Sequence, residues 1–260
     1  SIAYSLLFSS IIMEDKMLVS VIIPAYNVES QIVRTLESLL NQREKQFEII
    51  VVDDGSTDNT NQVAELMLNE SKHKNFKIIK KKNGGVSSAR NMGIRESNGE
   101  YLLFLDGDDY VSYEFIDSIH QNISCESPDV IFWKYDVVTE NKSTLRKYTD
   151  SFSDNFKEMT GKKALYNIIV KNDMWIWTAS ALYNRKFLLE NDIKYTEGCI
   201  NGEDQEFTFK ALANAKVVKF INKTLSYYVN RTDSVSNSYN IHRFQAVKAM
   251  ERTYKYINSF

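Results

Sequence analysis

The chain has 260 residues, 43% of them hydrophobic and 12% aromatic, enough for one substantial core. A formal net charge of −2 excludes wholesale nucleic-acid binding, and two cysteines, Cys125 and Cys199, exclude a disulfide framework. Nine glycines and two prolines exclude a collagen-like or disordered chain. Free thiols suit a cytoplasmic protein.

Residues 1–16 stand apart. Ser1 to Ile12 is apolar but too short to span a bilayer, and it lacks the basic leader and cleavage site of a signal peptide. The segment reads as non-native, with Met13 or Met17 as the natural start. The alternative is a piece that docks on a neighbouring subunit or a membrane.

Leu18 to Ile23 is a β-branched apolar run, hence a buried strand, which Pro24-Ala-Tyr-Asn27 breaks. Ile32, Leu36, Leu39 and Leu40 follow helical spacing. Phe47 to Val52 is a second buried strand, ending in Asp53-Asp54-Gly55-Ser56. Thr57, Asp58 and Asn59 can cap the next helix, with Val63, Leu66 and Met67 on its apolar face. A short strand, Phe76 to Ile79, leads through the Asn83-Gly-Gly85 turn into a helix from about Val86 to Ser97. A fourth strand, Tyr101 to Leu105, ends abruptly in Asp106, Gly107, Asp108 and Asp109.

This βαβαβαβ order predicts a mainly parallel sheet with helices on both faces. Tyr26, Asp54, the Gly84-Gly85 turn and the Asp106 cluster all follow strands, so they gather along one edge of it. Three carboxylates so close repel one another, and Mn²⁺ or Mg²⁺ would relieve that cost. No Gly-x-Gly-x-x-Gly fingerprint and no Gly-Lys-Ser/Thr phosphate loop occurs. A calcium loop starting at Asp54 has Asn59 where the sharp turn needs glycine.

In the second half, Phe115, Ile116, Ile119 and Ile123 predict a helix and Val130 to Tyr135 a strand. Thr139 to Asn155 reads as a polar loop, and Thr160 as the cap of a helix bearing Ala164, Leu165, Ile168 and Ile169. Met174 to Tyr183 is aromatic and β-rich; Trp175 or Trp177 could stack on a sugar face, against an ordinary core role. Asn201-Gly-Glu-Asp-Gln-Glu-Phe207 turns into a helix with acids in its first turn, which by itself only suits the helix dipole. Lys216 to Tyr228 predicts two strands. Ile241, Phe244, Val247, Met250, Tyr254 and Ile257 predict a tail helix packed by that face. His242 reads as structural.

The segments Val19-Ser-Val-Ile-Ile-Pro-Ala-Tyr-Asn27, Val51-Val-Asp-Asp-Gly-Ser-Thr-Asp58, Asn83-Gly-Gly-Val-Ser-Ser-Ala-Arg-Asn91 and Phe104-Leu-Asp-Gly-Asp-Asp109 resemble the family 2 glycosyltransferases of the GT-A fold. The resemblance is dense from Val19 to Tyr110 and thinner beyond. It implies a UDP-sugar lying across the carboxyl ends of the first strands. Pro24, Ala25 and Tyr26 then line the base, and Asp54 accepts the uracil imide hydrogen. Asn83, Gly85, Arg90, Asp106, Gly107 and Asp108 complete the nucleotide-sugar site. Arg90 reaches the nucleotide or pairs with a nearby carboxylate, with equal weight. Asp108, with Asp106 and Asp109, would hold the metal on the diphosphate.

The resemblance also implies that Asp204 is the general base of an inverting displacement. Glu203 then holds the acceptor, and Trp175 or Trp177 lies beside it. Asn230-Arg-Thr-Asp-Ser-Val-Ser236 resembles a flexible loop that in this family often closes over the donor. The implied organisation is a donor half over 17–110, an acceptor and catalytic half over 111–236, and a helical tail over 237–260. The acceptor is a glycan, lipid-linked or glycoprotein chain. A homo-oligomer and association with the inner face of a membrane are left open. Two rival readings are a non-catalytic nucleotide-sugar-binding subunit and a sugar-phosphate nucleotidylyltransferase. The latter would need a Gly-rich basic loop where Pro24 to Asn27 stand.

Overall fold

A computed structural model describes residues 18–123, 127–147, 149–150, 152, 156–230 and 243–259. Residues 1–16, the loop 231–236, Cys125 and His242 lie outside that range.

The first half alternates as expected: β1 (Val19–Ala25), α1 (Ile32–Leu40), β2 (Phe47–Asp53), α2 (Thr60–Glu70), β3 (Phe76–Lys80), α3 (Val86–Glu96) and β4 (Tyr101–Phe104). Then come β5 (Tyr110–Val111), α4 (Phe115–Asn122), β6 (Val130–Val138), β7 (Thr144–Lys147) and β8 (Glu158–Met159). The chain ends with α5 (Gly161–Tyr166), β9 (Ala181–Asn184), α6 (Arg185–Glu190), α7 (Glu203–Asn214), β10 (Val218–Val229) and α8 (Arg243–Ile257).

Among the described residues the strands form one ten-stranded sheet, ordered β3-β2-β1-β4-β9-β6-β10-β5, with β7 on β6 and β8 on β10. β3, β2, β1 and β4 are mutually parallel. β9 runs antiparallel between β4 and β6, and β10 is parallel to β6. The sheet is therefore mainly parallel, and the carboxyl ends of β1, β2, β4, β6 and β10 share one edge. The amino end of β9 joins them.

Alternation along the strands explains the two covered faces. Val19, Val21 and Ile23 pack with Ile32, Leu36 and Leu39 of α1, Leu68 of α2 and Phe115 of α4. Ile22, Leu102 and Phe104 face the other way, against Ile94 of α3, Leu188 of α6, and Phe207 and Leu212 of α7. Each such fully buried side chain contributes about 1.5–3 kcal/mol.

The structure corrects several boundaries. β1 continues through Pro24 and Ala25, which pair with Val52 and Asp53 of β2. Proline is tolerated there because β4 pairs with β1 only as far as Ile22, so the missing N–H faces no strand. Part of the polar 139–155 stretch forms β7, whose residues are all exposed. Only the last residues of the aromatic Met174–Tyr183 stretch enter a strand. Lys216 to Tyr228 yields one long strand, β10, whose register against β6 shifts between Ile221 and Thr224 and again before Ser226. Such irregularities mimic a turn in the sequence.

The tail helix is present, but its packing face differs. Ala249 and Thr253 are buried, whereas Phe244, Val247, Met250 and Tyr254 are 51–71% exposed. Small residues approach the domain more closely than the apolar stripe could. Among the described residues no helix is long and apolar enough to cross a membrane.

Candidate active site

The site is built on the shared carboxyl edge. Asp54 directly follows β2 and is almost completely buried. Its carboxylate accepts the Gly84 N–H at 3.0 Å, the Gly85 N–H at 2.7 Å and the Lys81 ammonium at 2.5 Å. Three of roughly four acceptor positions are thus filled by its own chain. Gly55 beside it has φ +79, and a Cβ there would lie 2.9 Å from the Asn83 nitrogen. The turn after β2 and the Asn83-Gly-Gly85 turn therefore lock together. Tyr26 is half exposed beside this junction, while Pro24 and Ala25 are buried in β1. Asn27 has φ +52, and its side-chain oxygen accepts the Thr57 N–H at 2.8 Å. Just ahead of α2, whose N-cap position Asn59 makes no side-chain cap bond, Asp58 accepts the Thr60 N–H at 3.0 Å.

Arg90 projects from α3 and is 3% exposed. It donates to Asp106 Oδ1 at 2.9 Å, lies 3.5 Å from Glu203 Oε1, and covers the Tyr195 ring at 5.0 Å. Arg90 is therefore paired with carboxylates. Its Nε and Nη1 have no hydrogen-bond partner in the site. Burial opposes its charge, but Asp106, Tyr195, Glu203 and Asp204 together hold its pKa above the ordinary value.

The three acids after β4 take different positions. Asp106 faces Arg90. The Asp108 backbone carbonyl accepts from Arg34 Nη2 at 2.7 Å, and its side chain is half-buried. Asp109 is 2% exposed, and its carboxylate accepts the Val229 N–H at 2.7 Å. Burial first, then the charges of Asp108 and Asp106, push its carboxyl well above the usual range. Gly107 lies between Val28 and the Pro24 carbonyl, where a Cβ would meet Val28 Cγ2 at 3.1 Å.

Among the described residues no group of three His, Cys, Asp or Glu side chains could hold a metal alone. Asp106 and Asp108 could each offer a carboxylate oxygen to a hard cation that keeps most of its shell for other oxygen ligands. Asp109 is turned to the β10 backbone.

On the other side, α7 begins at Gly202, which has φ +83. Its first turn carries Glu203 and Asp204. Asp204 Oδ2 accepts from Thr178 Oγ1 at 3.4 Å, and Oδ1 accepts the Gln205 N–H at 2.8 Å. Glu203 is pushed up to about 7 by burial and by Asp204, against the lowering effect of Arg90. Trp177 lies at the same edge, with ring centroids 5.0 Å from Tyr135 and 5.5 Å from Tyr228. Trp175 packs against the core under the opposite face. Trp177 is likewise half-buried and packs against the β1–α1 side of the core, so both tryptophans carry core packing; Trp177 is the one next to Thr178, which donates to Asp204.

Lys81, Thr178 and Tyr195 escape sequence reasoning. Ser87 and Asn91 lie within a quoted motif, and their roles emerge only here. Asn91 donates to the Tyr195 carbonyl and accepts its N–H, each at 2.9 Å, and Ser87 donates to the Cys199 carbonyl at 3.3 Å. They hold the segment that leads to Glu203. Their i, i+4 spacing on one helix face was the available signal.

The family model for Glycosyl transferase family 2 matches residues 20–191. The chain belongs to that family. Within it, the chain is similar to the Staphylococcus aureus (strain Mu50 / ATCC 700699) poly(ribitol-phosphate) beta-N-acetylglucosaminyltransferase TarS, 32% identical over 82% of this chain and 36% of that protein. It is also 30% identical to the uncharacterized glycosyltransferase EpsJ of Bacillus subtilis (strain 168), over 84% of this chain and 63% of that protein. The crystal structure of S. aureus TarS 1-349 in complex with UDP-GlcNAc superimposes with a TM-score of 0.76 at 29% identity, covering 91% of this chain and 66% of that one. The chain thus spans from about a third to two-thirds of the length of these relatives. The GT-A fold of this family 2 chain agrees with the resemblance read in its motifs.

Proposed function

We propose that this family 2 chain transfers a hexose or N-acetylhexosamine from a UDP-sugar to a glycan acceptor, with inversion. The carrying observation is the convergence of Asp54, Asp106 and the Glu203–Asp204 pair on one sheet edge, with Arg90 between the last two groups. The solved relative with UDP-GlcNAc bound supports a UDP-linked donor.

In this reading the 17–110 half holds the donor. Asp54, fixed by Gly84, Gly85 and Lys81, has one acceptor position left for the uracil imide. Pro24, Ala25 and Tyr26 line the base. Asp106 and Asp108 would hold Mn²⁺ or Mg²⁺, which when bound would supply positive charge against the leaving diphosphate. The acceptor half begins beyond residue 110. Asp204 takes the proton of the acceptor hydroxyl while its oxygen bonds to the anomeric carbon and the bond to UDP breaks. Glu203, near half-protonation at neutral pH, can donate a hydrogen bond to the acceptor. Trp177 offers an aromatic edge to a sugar ring.

The test is transfer or hydrolysis of UDP-GlcNAc, followed as UDP release with Mn²⁺ and with EDTA. Release that needs Mn²⁺ and is lost in Asp108→Asn supports the reading. Absence of release across a panel of UDP-sugars and acceptors contradicts it.

A further inference from the structure

α8 grips α7 at the turn that carries Glu203 and Asp204. At Gly202 an added Cβ would lie 3.0 Å from the Ala246 Cα and 3.2 Å from the Ala249 Cβ. Gln245 accepts the Ile200 N–H at 2.8 Å. One turn further, Arg252 Nε donates to both Glu206 oxygens at 3.0 and 3.1 Å, and Nη2 donates to Oε2 at 2.6 Å. The same Nη2 lies 3.4 Å from the Cys199 sulfur. Glu206 is 2% exposed and also accepts from Lys210 at 2.7 Å and Thr196 at 2.9 Å. Further along, Asn214 donates to the Tyr256 hydroxyl at 2.7 Å.

We infer that Arg252 is a positioning residue for the base. It joins α7, through Glu206, to the 196–202 segment, through Cys199, while Thr196 of that segment donates to Glu206 directly. The inference rests on the proposed role of Asp204. Glu206 lies two residues beyond Asp204 on the same helix, so Arg252 fixes the start of α7 without touching substrate. A planar fork engaging both carboxylate oxygens fixes orientation as well as distance. The 196–202 segment is held from its other side by α3, where Ser87 donates to the Cys199 carbonyl and Asn91 to the Glu197 carboxylate. Releasing the α8 side lets the first turn of α7 drift. A misplacement near 1 Å costs roughly 100-fold in rate.

The test compares wild type, Arg252→Ala, Arg252→Lys and Asp204→Asn. UDP titration counts folded donor sites, and transfer is expressed as kcat per UDP-binding site. A merely structural residue would reduce the number of sites and leave kcat per site unchanged. Arg252→Ala is expected to lower kcat per site roughly 10- to 100-fold, with UDP affinity within about twofold. Arg252→Lys, which keeps the charge but loses the fork, is expected to fall between it and wild type. Unchanged kcat per site in Arg252→Lys and in any folded Arg252→Ala overturns the inference. If Arg252→Ala does not fold, Arg252→Lys alone decides by the same criterion. Full transfer by Asp204→Asn instead overturns the reading of the base, and that result is distinct from either Arg252 outcome.

Discussion

Arg90 stands between Asp106 and Glu203, 2.9 Å from one carboxylate and 3.5 Å from the other. One buried guanidinium thus joins the acid after β4 to the acid that opens α7. These two acids come from opposite halves of the chain. In the proposed reaction they serve donor and acceptor respectively. The single charge of Arg90 offsets part of the negative charge of both.

Removing that charge should be costly. Arg90→Met leaves Asp106 and Glu203 facing each other across an apolar side chain. Breaking a fully buried ion pair by deleting one partner costs about 3–5 kcal/mol, and the 35% exposure of the Asp106 side chain brings the expected loss below that. Urea denaturation should show that loss. A change within experimental error would mean that the acids rearrange freely without Arg90.

Glu203 should make stability depend on pH. Its carboxyl rises from 4.5 to about 7 in the folded chain, through burial and Asp204. The folded state therefore keeps a proton that the unfolded state loses between those values. Its favourable contribution is complete below about pH 4.5 and is lost as pH rises through about 7. Glu203→Gln cannot ionise and escapes that loss. Relative to wild type, the variant should gain up to about 3 kcal/mol between pH 5 and pH 8. Melting curves across that range measure it. Parallel curves would contradict the raised carboxyl.

The four parallel strands, and the acids that follow β2 and β4, were legible because β-branched runs alternate with helical spacing at regular intervals. Asp54, Asp106, Asp108 and the Glu203–Asp204 pair were legible through motifs. The partners of those acids were not. Lys81 belongs to the run Lys80-Lys-Lys82, which reads as a solvated charge cluster until the fold turns one ammonium onto Asp54. Arg252 and Glu206 lie 46 positions apart, and no sequence period links them. β10 was read as two strands because its polar Asn222 and Lys223 fall at the register shift. The tail stripe of Phe244, Val247, Met250 and Tyr254 misled because apolar spacing reveals amphipathicity but not which face packs.

Base selectivity tests the donor half. With three acceptor positions of Asp54 filled, the remaining one should favour the uracil imide donor over the cytosine ring nitrogen. A carboxylate facing an acceptor costs about 1–3 kcal/mol, so UDP should bind roughly 5- to 150-fold more tightly than CDP. Calorimetry compares them directly. Equal affinities would remove Asp54 from base recognition.

The metal assignment separates two neighbouring acids. Asp108→Asn should abolish the difference in UDP affinity measured with Mn²⁺ and with EDTA. Asp109→Asn should keep that difference, because its carboxylate serves the Val229 N–H. The opposite pattern would place the metal on Asp109.

The central claim is that Asp204 takes the acceptor proton. Asp204→Asn keeps the side chain's shape and removes its basicity. The most direct measurement is the transfer kcat of this variant with saturating donor and acceptor, alongside its UDP affinity with Mn²⁺. A general-base role for Asp204 predicts kcat lowered roughly 10²- to 10⁴-fold, with UDP affinity nearly unchanged. Near-normal transfer by Asp204→Asn would contradict it and turn attention to Glu203.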